Sequence, residues 1–328
     1  WFSSGSMMIK QKFLALFLIL GMHGTVLAQP LTIGYSDWPG WVAWEVAIEK
    51  GWFEKSNVDV KFEWFDYVAS MDAYAAGQLD AVCMTNGDAL VTGATARRSV
   101  MALINDFSNG NDMVVAVPGI DDIEQLRGKN VGVEVGFVGH LLLLQALEEA
   151  GLSEDDVNLM NVPTNETPMV LASGQVDAVV AWQPNSSQSL KMVPGATAIY
   201  SSADVPGLIY DTLAIAPESL DAFPEKWAKV FQIWYRVVEF INDPETRGEA
   251  IEIMASRVGV EPQEYSKLMQ GTKFLSQSEA RERFAATNDL NSLQGSTELA
   301  NRFNLKYQVY SESQAIEDYM SAVLYEGQ

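Results

Sequence analysis

Carboxylates, indole rings and small polar side chains are the groups in this sequence whose types and spacing could do chemistry. They lie in short segments that contain no lysine or arginine. Because an anion site normally adds an arginine fork to backbone donors, these segments argue against an anionic ligand. Carboxylates accept paired N–H donors and indole faces attract cations, which favours a small planar cation of the guanidinium or amidine type. The residues expected to contact it are Asp37, Trp38, Trp41, Asn86, Asp88, Ser108, Glu134, Trp182 and Asp211.

The hypothesis gives the acids and the rings separate tasks. Asp88, Glu134 and Asp211 would neutralise and orient the cation through charge-assisted hydrogen bonds. Trp41 and Trp182 would cover its two faces by cation–π contact. We expect these contacts in a cleft, because ligands of open parallel sheets bind beyond the carboxyl ends of the strands.

Some of these side chains, and other acids and tryptophans of the sequence, can also be explained by a purely structural role. Asp88 and Asp66 each stand where a helix is predicted to begin, and a carboxylate there can cap backbone N–H groups. Asp106 could instead hold a turn, and Glu134 could hold a loop by hydrogen bonds. Spacing typical of core packing is found for Trp44, Trp52 and Trp64.

Enzymatic catalysis is disfavoured by the small number of nucleophiles and bases. His23 lies in the N-terminal segment discussed below, and His140 begins a predicted helix, where a structural role is expected. Cys83 lies inside an apolar run, which is typical of a core residue, and a lone cysteine excludes a thiolate metal cluster. No HExxH, phosphate-binding loop or dinucleotide GxGxxG pattern is present. We therefore expect a protein that is not an enzyme and has no metal or cofactor.

The chain is strongly acidic. Its 328 residues include 21 Lys+Arg and 43 Asp+Glu, for a formal net charge of -22. Such a charge repels phosphate backbones and anionic lipid faces, which excludes nucleic acid as a partner. With 48% hydrophobic residues the chain can form a large core, and its length allows two domains.

The N-terminal residues are expected to be a tag and an export signal. Residues 1–6 resemble a tag remnant, and residues 7–28 have the three regions of a signal peptide. Lys10 and Lys12 form the positive region, an apolar stretch follows, and Ala28 ends a small-residue cleavage site. The apolar stretch is too short to span a bilayer, which needs roughly twenty residues. No cysteine follows the cleavage site, so we expect a soluble periplasmic protein without a lipid anchor.

An internal repeat organises the rest of the chain. The segment AGQLDAV at residues 76–82 recurs as SGQVDAV at residues 173–179, an offset of 97 residues. Each copy belongs to a predicted βαβαβ unit, and this alternation indicates a mostly parallel sheet flanked by helices. The fold class is therefore α/β with two related lobes. The predicted strands are residues 31–35, 58–64 and 81–85, and then 130–135, 157–162 and 178–182.

Two further predicted strands connect the lobes. Residues 112–117 and 211–216 are short apolar runs where one lobe gives way to the other, so we expect them to form a hinge of two strands. Lobe 1 would then comprise residues 29–114 and 213–328, and lobe 2 would comprise residues 115–212. The C-terminal part of lobe 1 has amphipathic spacing and is predicted to pack on it as a helical tail.

Several motifs make the sequence similar to a known family. EKGWF at residues 49–53, the two GQxDA turns and WxP at residues 182–184 resemble the periplasmic solute-binding proteins of ABC importers, in the nitrate, sulfonate and taurine superfamily. This similarity covers nearly all of the chain after residue 28. A narrower branch, associated with urea carboxylase-type enzymes of guanidine degradation, resembles the sequence in MTNGD at 84–88, DFSNGND at 106–112, PGAT at 194–197 and PGxxxD at 206–211.

The resemblance implies a fold, a function and a partner. The fold would be that of a type II periplasmic binding protein, a monomer that closes its two lobes on one ligand by hinge motion. The ligand would be a small nitrogen compound such as guanidinium, delivered to an ABC permease at the inner membrane. Alternatives with the same fold are a neutral urea or amide, a thiamine-pyrimidine precursor and a sulfonate. An alternative of another class is an enzyme of the thiamine-pyrimidine-synthase type.

Overall fold

The computed structural model describes residues 29–285 and 287–326. The predicted tag at residues 1–6 and the predicted signal peptide at residues 7–28 lie outside these described residues. Within the described ranges, no helix is both long enough and apolar enough to cross a membrane.

Strands and helices alternate along most of the described chain. The strands are β1 (Leu31–Tyr35), β2 (Val60–Trp64), β3 (Ala81–Thr85), β4 (Val100–Ser108), β5 (Met113–Ala116), β6 (Asn130–Val133), β7 (Asn158–Asn161), β8 (Ala178–Ala181), β9 (Thr197–Ser201), β10 (Tyr210–Ile215) and β11 (Thr272–Phe274). The helices are α1 (Pro39–Val42), α2 (Trp44–Glu49), α3 (Trp52–Lys55), α4 (Tyr67–Ala75), α5 (Asn86–Thr95), α6 (Val138–Glu149), α7 (Thr167–Ala172), α8 (Asn185–Met192), α9 (Pro217–Ala222), α10 (Pro224–Asn242), α11 (Arg247–Val258), α12 (Pro262–Leu268), α13 (Gln277–Arg283), α14 (Leu293–Lys306) and α15 (Val323–Glu326).

Hydrogen bonding joins these strands into two sheets of similar design. The first sheet has the order β11-β4-β10-β3-β1-β2, and the second has the order β7-β6-β8-β5-β9. In each sheet three strands run parallel and a fourth, β10 or β5, runs antiparallel beside them. We call the first sheet with its helices lobe 1 and the second sheet with its helices lobe 2. The predicted two-lobed α/β fold with mostly parallel sheets is confirmed.

The connection between the lobes differs from the expectation in one respect. The strands β5 and β10 do not span both lobes: β5 lies entirely in the sheet of lobe 2, and β10 lies entirely in the sheet of lobe 1. The chain crosses in the loops that precede them, and beside these loops the hydroxyl group of Ser108, the last residue of β4, bonds to that of Ser202 at 2.7 Å. Each strand then enters antiparallel, because the chain arrives from the other lobe at the edge where the parallel strands end.

The repeated GQxD turn has the same structural task in both lobes. Gly77 and Gly174 have φ values of 77° and 74°, a left-handed conformation that ends the preceding helix and suits glycine. Three residues after Gly77, Asp80 accepts hydrogen bonds of 2.9 and 3.0 Å from the backbone N–H and hydroxyl of Thr32. The equivalent bonds in lobe 2 include one of 2.8 Å to Asp177 from a backbone N–H. The aspartate therefore links the start of the third strand to the start of the first.

The C-terminal helices pack on lobe 1, as the amphipathic spacing predicts. The side chains of α10 that are almost fully buried include Trp227, Val230, Phe231, Trp234 and Val238. The Trp234 ring lies 4.7 Å from the ring of Trp44 in α2, so the tail is joined to the first helices of the chain. Three strands were not predicted: β4, β9 and the short strand β11, which extends the first sheet beside β4.

We expect Trp234→Ala to lower the free energy of unfolding by about 3–5 kcal/mol, because it removes a fully buried indole and leaves a cavity between α2 and α10. The measurement is urea denaturation followed by far-ultraviolet circular dichroism. Phe223→Ala is the control, because that ring is 40% exposed and its loss is expected to cost less than about 1 kcal/mol. An equal, small effect of both variants would contradict the packing described here.

Candidate functional site

A cavity of about 420 Å³ lies between the two lobes, at the carboxyl ends of their parallel strands. Lobe 1 contributes the second residue after β1 and residues 64–68, from the end of β2 to the start of α4. Lobe 2 contributes the segments after β6, β7 and β8. The lining residues are Asp37, Trp64, Phe65, Asp66, Tyr67, Val68, Glu134, Val135, Phe137, Asn161, Pro163, Thr164, Asn165, Glu166, Trp182 and Asn185.

All the charged residues that line this cavity are acids. Asp37 and Asp66 come from lobe 1, Glu134 and Glu166 come from lobe 2, and no lysine or arginine of the described residues lines it. Glu134 is buried, Asp37 is partly buried, and the other two acids are exposed at the mouth. The ionisable groups of this lining therefore add negative charge when they ionise, which disfavours an anionic ligand.

Asp37 joins lobe 1 to lobe 2. Its carboxylate accepts hydrogen bonds from the Asn185 side-chain N–H at 3.2 Å and from the Trp182 indole N–H at 3.5 Å. Burial raises the pKa of Asp37, although these two bonds oppose the rise. The predicted site residues Asp37 and Trp182 are thus in contact, and both line the cavity.

Glu134 is the most deeply buried carboxylate of the cavity wall. It is 8% exposed and accepts two hydrogen bonds of 3.1 Å from Thr164, one from the backbone N–H and one from the hydroxyl. Burial raises the pKa of Glu134 to about 7, and the negative charges of Asp88 and Asp37 add to the rise. A positive group in the cavity would remove that penalty.

Asp88 lies behind the cavity and also crosses between the lobes. Its own backbone N–H bonds to Thr85, which is the cap of α5. Its carboxylate accepts a hydrogen bond of 2.6 Å from the Tyr67 hydroxyl and one of 3.3 Å from the backbone N–H of Val138, at the start of α6 in lobe 2. The structural alternative, in which Asp88 caps a helix, therefore applies. The helix that it caps is α6 of lobe 2 and not α5, on which it lies. Burial raises its pKa to about 7.

The aromatic side chains are arranged around Tyr67, which the sequence argument did not select. The Tyr67 ring stacks on Trp41 at 5.2 Å and meets Trp182 edge-on at 5.2 Å. Trp41 is buried and does not line the cavity, whereas Trp182 and Tyr67 do. The predicted sandwich of a ligand between Trp41 and Trp182 does not fit this arrangement, because Tyr67 contacts both rings.

A second group of carboxylates is fully enclosed below the cavity. Asp106 and Asp211 face each other on adjacent strands, and Asp112 lies at the crossing into lobe 2. One oxygen of each has no hydrogen-bond partner among the described residues. Burial raises the pKa of Asp112 to about 7, and it raises the pKa values of the facing pair Asp106 and Asp211 above their usual range. Within the described chain, no three His, Cys, Asp or Glu are grouped as metal ligands.

Trp38 and Gly40 pack against Asp106, one of these enclosed carboxylates. The Trp38 indole N–H donates to Asp106 at 3.1 Å. A Cβ on Gly40 would lie 1.7 Å from an oxygen of Asp106, so only glycine allows α1 to approach the carboxyl group so closely. Trp38 is therefore placed to support an acid rather than to line the cavity.

Asn86 and Ser108, which were predicted to contact the ligand, form hydrogen bonds to other parts of the protein. Asn86 donates to the hydroxyls of Ser296 and Thr297 in α14, at 2.9 and 3.1 Å, and its oxygen accepts from the backbone N–H of Tyr210. Ser108 bonds to the hydroxyl of Ser202 at the interlobe crossing. Neither side chain lines the cavity, and both hold the segments that carry the acids.

The sequence argument missed residues that the structure brings to the site. Thr164 and Asn185 supply donors to the cavity acids, and Tyr67 supplies a ring and a hydroxyl. Tyr67 directly follows Asp66, which the sequence analysis placed at a predicted helix start. Its position next to that acid could therefore have identified it as a candidate. Thr164 follows the end of β7, and the sequence argument selected no residue at the end of that strand.

Related sequences match part of the chain. The model of the NMT1-like family matches residues 27–255. A binding protein of Brucella abortus is 31% identical over 202 residues, which cover 60% of this chain and 62% of that protein. A thiamine biosynthesis protein of Haemophilus influenzae is 32% identical over 150 residues, which cover 44% of this chain and 47% of that protein. The match to this chain therefore spans less than two thirds of the length of these curated relatives.

Solved structures share the two-lobed architecture. The periplasmic aliphatic sulphonate-binding protein of Escherichia coli gives a TM-score of 0.73 at 18% identity, covering 90% of this chain and 99% of that chain. The periplasmic nitrate-binding protein of Synechocystis gives 0.72 at 10% identity, covering 90% and 87%. A desulfurization enzyme gives 0.64 at 14% identity, covering 90% and 97%. At these identities the similarity shows the fold, which binding proteins and at least one enzyme have in common.

We expect the protein without ligand to lose thermal stability as the pH rises from about 6.5 to about 8.5. Asp88, Asp112 and Glu134 have pKa values of about 7 in the folded protein, and values of about 4 are usual for unfolded chains. The folded state therefore binds more protons in this window, and raising the pH favours unfolding.

The measurement is the Tm at constant ionic strength, and Asp88→Asn should give a shallower decline. Burial lowers the pKa of His140 to about 4, so this histidine changes stability only below its unfolded value of about 6.5 and does not interfere. A Tm that stays constant or rises across the window would contradict the burial of ionisable carboxyl groups.

Proposed function

We propose that this chain, because it belongs to the NMT1-like family and has the fold of two-lobed periplasmic binding proteins, is the substrate-binding protein of an ABC importer. In this proposal it binds a small nitrogen-rich cation of the guanidinium or amidine type between its lobes. It would act in the periplasm and deliver the ligand to a permease of the inner membrane, without a catalytic step.

The sign of the ligand's charge rests on one observation. Within the part of the chain that the structure describes, the interlobe cavity is lined by four carboxylates and by no lysine or arginine. A sulfonate or nitrate would have to enter that negative potential without a basic partner, which costs free energy. A cation instead relieves the penalty of burying Glu134 and Asp37, so the same residues that repel an anion stabilise a guanidinium group.

The proposed binding mode uses both lobes. Asp37 of lobe 1 and Glu134 of lobe 2 would accept N–H donors of the cation in the cavity. The Trp182 ring, beside Asp37, would cover one face of the planar group. Asp88 and Asp211 lie deeper and would act through their charge rather than by contact. A ligand held by Asp37 and Glu134 together stabilises the closed arrangement, because each lobe supplies one partner.

A thiamine-pyrimidine precursor is the second candidate ligand. It is favoured by the similarity to the Haemophilus influenzae protein named for thiamine biosynthesis. An aminopyrimidine is planar, rich in nitrogen and cationic when protonated, so the same carboxylates could bind it. Neutral urea shares the N–H donors of guanidinium but not its charge, which makes it the informative comparison.

We expect guanidinium to bind with a stoichiometry of one at sub-millimolar concentration, with urea, taurine and nitrate giving no signal. The measurement is isothermal titration calorimetry, with tryptophan fluorescence recorded in parallel because Trp182 lies at the cavity. Absence of heat and of fluorescence change with guanidinium would overturn the assigned ligand. Binding of taurine or nitrate would overturn the assigned sign of charge.

Glu134→Gln should weaken guanidinium binding by about tenfold or more, because it removes one charged acceptor of nearly the same shape. Glu124→Gln is the matched control, since Glu124 is an exposed acid of the same lobe outside the cavity. Equal affinity of the two variants would show that Glu134 has only a structural task in holding Thr164.

A further inference from the structure

We propose that the cavity accommodates an extended dication, in which a guanidinium or amidinium group carries an alkyl chain that ends in a second positive nitrogen. This inference rests on the proposed function above and narrows the ligand class to aminoalkylguanidines and close relatives. It is carried by the size of the cavity, the distribution of its acids and the apolar surface between them.

The cavity is much larger than a single guanidinium group. Guanidinium has four non-hydrogen atoms and takes the space of roughly two or three water molecules, each occupying about 30 Å³. The cavity volume is about 420 Å³, which is in the range that accommodates ligands of drug-like size. Most of the space remains for a body attached to the planar group.

The cavity acids fall into two groups by exposure, and each group has one member from each lobe; we call the less exposed group the inner level and the exposed group the mouth. At the inner level are Asp37 of lobe 1 and Glu134 of lobe 2, which is 8% exposed. At the mouth are Asp66 of lobe 1 and Glu166 of lobe 2, both of which are exposed. A monovalent cation at the inner level would leave the negative charge at the mouth without a partner.

Apolar side chains line the cavity along with these acids. Phe65 and Val68 come from lobe 1, and Val135, Phe137 and Pro163 come from lobe 2. Val135 is 40% exposed, so it presents apolar surface at this cavity. A chain of methylene groups running from the inner acids to the mouth would be in contact with such surface, which favours its transfer from water.

The acids at the mouth are free to accept a second cation. Asp66 precedes α4, yet its side chain makes no cap bond to that helix. Glu166 lies on the opposite lobe just before α7 and likewise makes no cap bond. An ammonium group at the mouth would therefore meet one available carboxylate from each lobe, and it would add to the attraction that holds the lobes closed.

The experiment compares four probes of the intact mature protein by calorimetry: guanidinium, butylguanidine, agmatine and putrescine. We expect agmatine to bind about tenfold or more tightly than guanidinium, with butylguanidine in between and putrescine weakest. The advantage of agmatine over butylguanidine should be about threefold to fivefold at low salt and should shrink at high salt, as for an exposed ion pair.

Two variants at the mouth test the second contact. Asp66→Asn with Glu166→Gln should remove the advantage of agmatine over butylguanidine, and the two affinities are compared within the double variant so that a loss common to both ligands cancels. Asparagine is as good as aspartate at a helix start, so α4 should be unaffected. Asp72→Asn is the matched control, because Asp72 is an exposed acid of α4 outside the cavity.

The outcomes separate this inference from the proposed function. If guanidinium binds and agmatine binds no better, the extended ligand is overturned and the cation receptor stands. If agmatine is favoured but the double variant keeps the full advantage, the mouth acids are not the second contact and the inference fails. If none of the four probes binds, the proposed function itself is overturned.

Discussion

The burial of carboxylates without a positive side chain beside them is the constraint on which the rest of this structure depends. An ionised carboxylate loses much of its hydration when it is buried, and only hydrogen bonds, protonation or a counter-charge can offset that loss. The protein uses the first two by itself. Glu134 receives two bonds from Thr164, Asp106 receives the indole N–H of Trp38, and the pKa values of these acids are raised towards protonation. The third is what a cationic ligand would supply.

The same constraint explains how the lobes are held together in this arrangement. Asp88 is an acid of lobe 1, but one of its donors is the first backbone N–H of a helix in lobe 2. Asp37 likewise meets Trp182 and Asn185 of lobe 2. These contacts between the lobes are therefore made by acids that need donors, and a helix N-terminus, an indole N–H and a side-chain amide of the opposite lobe provide them. Ionisation and the contact between the lobes are linked because they involve the same oxygen atoms, and in the proposed binding mode the ligand would use Asp37 as well.

The fold and the site give different kinds of information. Proteins named for binding sulphonate and nitrate share this architecture at 18% and 10% identity, and a desulfurization enzyme shares it at 14%. Such similarity does not transfer a ligand, because the lobes are a scaffold and recognition depends on the side chains at the strand ends. In this chain those side chains are acids and aromatic rings, which is why the proposed ligand has the opposite charge to sulphonate and nitrate.

The amino-acid sequence by itself determined the fold class, the repeated GQxD turns and the loops that bring Asp37, Glu134 and Trp182 together, since these depend on local periodicity and on the meeting of strand ends at one edge. It could not decide which acids line the cavity and which lie beneath it. Asp106 and Asp211 pair across strands that are remote in sequence, Tyr67 fills the space between Trp41 and Trp182, and Asn86 is taken up by α14. Only the tertiary structure decided these roles, because each depends on how two lobes and a C-terminal helix pack against one another rather than on neighbours along the chain.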